Sequence, residues 1–459
     1  MGAAGQLSRL HERVLTAPAT GGSQPEPTRP AADPPLRPRP GSRVTVVPLS
    51  IVAKGEGFVV GSADHGMFVE VPPVAVAAIE LLRAGHTIAQ ASADLRADIG
   101  EDIDVLDFVG TLIDLGFVSH IDGVAQVPDD AAGARAGRRP RWVQGPPPGA
   151  VRWLFGPVAW AVYALAAVVC VTTLAVHPAY RISSDAFFFL DDPVTSLALL
   201  SVTAFVLAAA HEAFHWLAAC REGVAARFAI SRRLYFLVFE TDLTQLWSLP
   251  PGRRYGPMLA GMALDSVLLA VTLGGRATID AGLVAAPGVA RFLEAIAAVL
   301  FLGLCWQLCF FMRTDIYAVV ATALNCTNLW RVTMLTLARR FHVLGTAGRR
   351  ELASAAAVDL RVARWYGWLC LAGFAVATWF AAVVIVPALW KVIDWTTQQA
   401  VVHGLASPRF WCTVLLALLT LLPRLLTVGL FARQVTTWVS NRKRTGAAVA
   451  DAPRDSAVG

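Results

Sequence analysis

Apolar and polar positions divide the chain into two unlike halves. Up to about residue 150, apolar residues come in short groups separated by polar ones. Beyond it they run together in six long segments, at about 153–176, 195–218, 256–275, 291–312, 366–389 and 411–431. Each is near the roughly 20 residues that a helix needs to cross a bilayer. Arg135, Arg138, Arg139 and Arg141 precede the first segment, and Arg221, Arg227, Arg232, Arg233, Arg253 and Arg254 separate the second from the third. Another Arg cluster, from Arg339 to Arg364, separates the fourth from the fifth, and Arg442-Lys-Arg444 follows the sixth. The remaining loops are poorer in Arg and Lys. Cytoplasmic loops carry the positive excess, so both termini are expected in the cytoplasm, with the first segment acting as its own insertion signal.

The polar half has its own organisation. Residues 1–42, rich in Pro, Gly, Ala and Arg, are expected to be unstructured. Residues 43–122 predict three short strands, at 43–49, 57–62 and 67–71, and three helices. The first helix, 74–83, ends at Gly85; the second opens on a Thr87–Gln90 capping box; the third, 102–115, stops at Gly116. A basic linker follows over 123–150, and an unstructured tail over 441–459. The fold class expected is a multi-span α-helical membrane protein with a small N-terminal α+β, winged-helix-like cytoplasmic domain.

Composition adds two exclusions. The net charge of +6 suggests nucleic acid, yet the Arg clusters flank apolar segments, and 91–116 carries Arg96 against Asp94, Asp98, Glu101, Asp102, Asp104, Asp107 and Asp114. That acidic face opposes phosphate contacts, so no nucleic-acid partner is expected. The seven cysteines form no Cys-x-x-Cys pair and read as apolar packing residues.

Candidate chemistry lies at the inner end of the second segment, where residues 211–215 read His-Glu-Ala-Phe-His. Histidines four apart share one helix face, which suits two ligands on one Zn2+, and Glu212 between them is free to act as a general base toward water. An ionisable cluster inside an apolar span costs roughly 2.5 kcal/mol or more per charge, which favours function over packing. The fourth segment runs inward and ends at Asp315, at the same depth. His211, His215 and Asp315 then supply the three protein ligands that a catalytic zinc requires, leaving one open position.

These motifs resemble the site-2 protease family of intramembrane zinc metallopeptidases. The His-Glu-x-x-His helix is followed by Ala260-Gly-Met-Ala-Leu-Asp265, which keeps the family's glycine at Gly261 but has Met262 for its proline and Asp265 for its asparagine. Thr314-Asp315-Ile316-Tyr317 keeps the acidic ligand and lacks the family's glycine. The resemblance implies that Gly261 and Asp265 face the substrate, although Asp265 is equally compatible with a protonated carboxyl or a pairing with a base such as Arg424. Residues 234–254, with Asp242, Trp247 and Pro250-Pro251, are similar to the bacterial peptide zinc metalloprotease branch. Physically, 234–239 reads either as a strand that pairs with an extended substrate or as an interfacial anchor through Tyr235 and Trp247. The N-terminal domain is similar to PqqD-like peptide-recognition elements of ribosomal-peptide biosynthesis, on Gly57-Phe58, 67–71, Leu81-Leu82-Arg83-Ala84-Gly85 and 106–116.

The expected function is therefore a zinc metalloendopeptidase of the bacterial cell membrane, with a precursor peptide or a membrane-associated protein as substrate and a role in ribosomal-peptide maturation or export. The alternatives are a non-hydrolytic, zinc-containing binding or export component and a regulatory protease of a signalling partner. Intact Glu212 favours hydrolysis, because a purely structural site needs no base.

Overall fold

The computed structural model describes residues 14–16, 37–54, 57–62, 67–126, 142–233 and 236–404, then most positions to 418 and isolated ones to 433. The N-terminal part contains β1 (Val14–Thr16), β2 (Val44–Val46), β3 (Ser50–Lys54), β4 (Gly57–Ser62), β5 (Met67–Val71), α1 (Pro73–Arg83), α2 (Ile88–Ile99), α3 (Val105–Asp114), β6 (Val118–Ile121) and β7 (Val124–Ala125). The three expected helices are all present, and α2 opens on the Thr87–Gln90 capping box. The strands differ from expectation in three ways. The strand expected at 43–49 is shorter, Val44–Val46, and β3 follows from Ser50 in a different sheet, with Pro48 between them lacking the N–H that a continuous ladder would need. A wing, β6–β7, pairs with β2. Within 1–42, Val14–Thr16 is strand rather than unstructured chain and pairs antiparallel with Met67–Val69; residues 1–13 and 17–36 lie outside the described residues.

Alternation along β4 and β5 puts successive side chains on opposite faces. Val60, Val69 and Val71 join Ile79, Leu82, Leu95, Phe108 and Leu112 in the core under the helices. Val59 and Phe68 point the other way and pack against Trp247, which belongs to the membrane part of the chain. Both faces of the sheet are thus covered.

The second part contains α4 (Pro157–Val176), α5 (Pro193–Arg221), a hairpin of β8 (Arg227–Arg233) and β9 (Phe236–Asp242), α6 (Pro251–Asp280), α7 (Pro287–Gln307), α8 (Asp315–Ala323), α9 (Leu329–Arg340), α10 (Thr346–Ser354), α11 (Ala357–Phe380) and α12 (Val386–His403). A π-helical turn, Ala381–Ile385, joins the last two. Among the described residues, five helices are long and apolar enough to cross a membrane: α4 to α7, and α11 with its continuation to Val383. The predicted sixth span, 411–431, is helical up to 418 and beyond that falls largely outside the described residues. Half of the apolar window of α6 is buried against its neighbours, compared with 11% for α4, so α6 is the central helix. It packs on α4, α5 and α7. The outward Val158, Leu165 and Val171 of α4 are exposed, as expected of a helix whose solvent is lipid.

Candidate metal centre

The C-terminal end of α5 turns from exposed apolar residues to buried polar ones. His211 and His215 lie one turn apart on the face against α6, and both are buried. Their Nε2 atoms are 3.1 Å apart, and Oδ2 of Asp315 lies 3.1 Å from His211 Nε2 and 3.2 Å from His215 Nε2. Ligands held about 2.0–2.1 Å from a tetrahedral zinc stand roughly 3.3 Å from one another. The three predicted ligands therefore converge with the spacing of a shared small cation, and they are the group that could hold one among the described residues.

The far sides of both rings support that reading. His215 Nδ1 lies 2.7 Å from the main-chain oxygen of Pro257. A carbonyl only accepts, so Nδ1 carries the proton and the neutral ring presents a bare Nε2 lone pair to the cluster. His211 Nδ1 lies 2.7 Å from Asp265 Oδ2, which fixes the same tautomer. Asp265 thus contacts one of the two candidate ligand histidines; Arg424, its other suggested partner, lies outside the described residues. Gly261, also expected to face substrate, lies against the two imidazoles. A Cβ there would collide with Nε2 of both histidines, so a side chain would close the cluster. Pro257, Gly261 and Asp265 recur every four residues along one face of α6.

Asp315 arrives by a device that the hydropathy pattern hides. The predicted fourth span continues through 312, whereas α7 stops at Gln307 and the chain turns before α8 begins at Asp315. Arg313 takes a left-handed conformation, with φ +61°, and its guanidinium lies 5.8 Å from the Trp330 ring centroid. Gln307 Oε1 accepts the main-chain N–H of Asp315 at 3.0 Å, and Thr314 Oγ1 donates to the main-chain oxygen of Gln307 at 2.7 Å. The first turn of α8 thereby gains a partner for an otherwise orphan N–H.

Glu212, the predicted base, points toward the hairpin. Its Oε2 accepts the main-chain N–H of Thr241 at 2.6 Å, while Thr241 Oγ1 donates to the main-chain oxygen of Glu212 at 2.9 Å. The strand expected around 234–239 is β9, shifted toward the C-terminus; Leu234 and Tyr235 are not among the described residues. Trp247 packs against Val59 and Phe68 of the N-terminal sheet. Sequence reasoning left Gln307 open and did not single out Thr241 or Pro257. Gln307 and Pro257 had a local signal, a polar residue and a proline within apolar runs; Thr241 had none.

No protein-family model, curated protein or solved structure matches the chain. Functional assignment therefore rests on the geometry of the site.

Proposed function

We propose that this chain is an intramembrane zinc metalloprotease, resembling the site-2 proteases, that hydrolyses a peptide bond in a precursor peptide or membrane-associated substrate. The observation carrying the proposal is the convergence of His211, His215 and Asp315 with both histidines already held in the ligating tautomer. Zinc bound there supplies a Lewis acid that polarises a peptide carbonyl and favours deprotonation of water. Glu212 follows His211 on the same helix and supplies the general base that takes the proton from the attacking water and returns it to the leaving amine. The enzyme lies in a bacterial cell membrane with both termini cytoplasmic.

The N-terminal domain captures the substrate as an added strand. Support comes from the edge of β5, which accepts Val14–Thr16 of the chain itself in an antiparallel pairing. This capture mode suits a precursor peptide better than it suits nucleic acid.

Zinc per protein in the detergent-purified wild type, His215→Ala and Asp315→Ala tests the site, and cleavage of fluorescein-labelled casein tests the activity. About one zinc in the wild type, sharply reduced in both variants, is expected. Glu212→Gln is expected to retain zinc and lose about 100-fold or more in rate. Wild type without zinc, or with zinc indifferent to Asp315, refutes the metal centre; zinc without Glu212-dependent cleavage leaves a binding or export component.

A further inference from the structure

We infer that Tyr366 on α11 is the positioning residue for Asp315, the third candidate metal ligand, and that α11 holds both ends of the short helix that carries it. The inference rests on the proposed metal centre and names what sets its geometry. α8 has nine residues, and Asp315 is the first of them. A helix that short is marginal by itself, so the partners at its ends decide where the carboxylate stands. Phe310 and Phe311, in the turn before Asp315, both meet α11. Tyr366 Oη donates to the main-chain oxygen of Phe310 at 2.9 Å, and the two rings stack with centroids 6.1 Å apart. Phe311 packs edge-on against Phe374 and lies over Gly373, where a Cβ would collide with its ring. On the other side of Asp315, the Tyr317 ring centroid is 6.0 Å from that of Tyr366. Tyr317 Oη in turn accepts the main-chain N–H of Trp330 at 3.0 Å. The far end of α8 is tied to the same helix. Asp359, buried in the first turn of α11, accepts the main-chain N–H groups of Thr327 and Asn328 at 3.1 and 3.2 Å. It also accepts the Thr327 hydroxyl at 2.7 Å. Asp359, Tyr366 and Gly373 recur every seven residues, two helical turns, and so share one face of α11. The side of α8 packs on α6, with Thr322 against Met258, which makes α6 the competing seat.

Titration of metal-free, detergent-purified, full-length protein with Co2+ tests the assignment. Co2+ accepts the same nitrogen and oxygen ligands as zinc, and its visible absorption reports their number and geometry. Tyr366→Phe keeps the ring and loses only the hydroxyl. It is expected to bind Co2+ about tenfold more weakly, the worth of one buried hydrogen bond, with an absorption shifted toward that of Asp315→Ala. Leu352→Ala removes a buried side chain from the same hydrophobic cluster, on α10, and is the control for general stability. It is expected to lower the unfolding midpoint and leave Co2+ affinity and absorption as in wild type. Wild-type Co2+ binding and absorption in Tyr366→Phe would overturn the assignment and leave α6 as the seat. Equal changes in Leu352→Ala would overturn it as well, since any loss from the cluster would then act alike. Hydrogen exchange at the Asp315 amide, which donates to Gln307, needs no metal. In metal-free protein this exchange should be about tenfold faster in Tyr366→Phe than in wild type, and an unchanged rate overturns the seating. A wild type that takes up no Co2+ would refute the metal centre instead, and the exchange rate would still decide whether Tyr366 seats Asp315.

Discussion

The Asp265 carboxylate, 2.7 Å from Nδ1 of His211, determines which ring nitrogen is free to bind a metal. A carboxylate behind a ligand histidine fixes its tautomer and raises its basicity, and losing such a partner commonly costs 10–100-fold in metal affinity. Asp265→Leu should therefore weaken zinc binding by about that factor, measured by competition with a chromophoric chelator. Asp265→Asn keeps an acceptor oxygen for the ring N–H and should lose far less. The contrast is informative because the resembling family carries asparagine at this position. If Leu and Asn bind zinc alike, the hydrogen bond to His211 is incidental. Gly261 acts at the same scale by omission, since no side chain fits between α6 and the two rings.

Between elements, the decisive feature is the break separating α7 from α8. Gln307 closes it by accepting the Asp315 N–H. Gln307→Leu leaves a part-buried donor without its partner, which costs about 1–3 kcal/mol. The expected result is a lower midpoint in thermal unfolding and weaker zinc binding together; a lower midpoint with zinc affinity unchanged would mean that Gln307 stabilises the turn without placing Asp315. This break also shows where the sequence was legible. Long apolar runs located α4 to α7 because lipid imposes a length and a composition that are read residue by residue. The same pattern hid the turn at 308–314, since Phe310, Phe311 and Met312 continue the apolar run through it. His211 and His215 were legible because their spacing and chemical type are local, and Asp315 because the fourth apolar segment ends on it. Asp265 was visible as an ionisable residue in a span, but its partner lies 54 residues away in sequence and emerges only when α5 packs on α6. In the N-terminal domain, β6 was missed because four residues make a weak strand signal and its partner, β2, lies some seventy residues earlier. Pro48 was a readable breaker of the first strand.

At the scale of the molecule, the two parts of the chain meet at Trp247. Its ring packs on Val59 and Phe68, on the face of the N-terminal sheet opposite the helices. Cations lie near the ring from both parts, Lys54 at 6.0 Å and Arg254 at 4.6 Å from its centroid. Arg254 is itself buried at the start of α6 and donates to the main-chain oxygens of Leu249 and Trp247, so the 3-10 turn Thr244–Ser248 is fixed to the central helix. Asp242, the last residue of β9, caps this turn by accepting the N–H of Thr244. A short, hydrogen-bonded path therefore joins the sheet proposed to capture peptide to the strand that holds Glu212. Contacts of this kind between domains are modest in area, and relative motion is the default unless an anchor prevents it. Trp247→Ala removes the anchor and, at about 2 kcal/mol of lost apolar burial, would weaken docking roughly thirtyfold. Limited proteolysis should then cut between the two parts of the chain faster than in wild type, while zinc content is retained because no candidate metal ligand is disturbed. Casein cleavage should fall mainly through a higher KM, since capture is impaired and the centre is intact. A fall confined to kcat would instead place Trp247 in support of β9 and Glu212, and an unchanged proteolysis rate would show that the two parts are held together elsewhere.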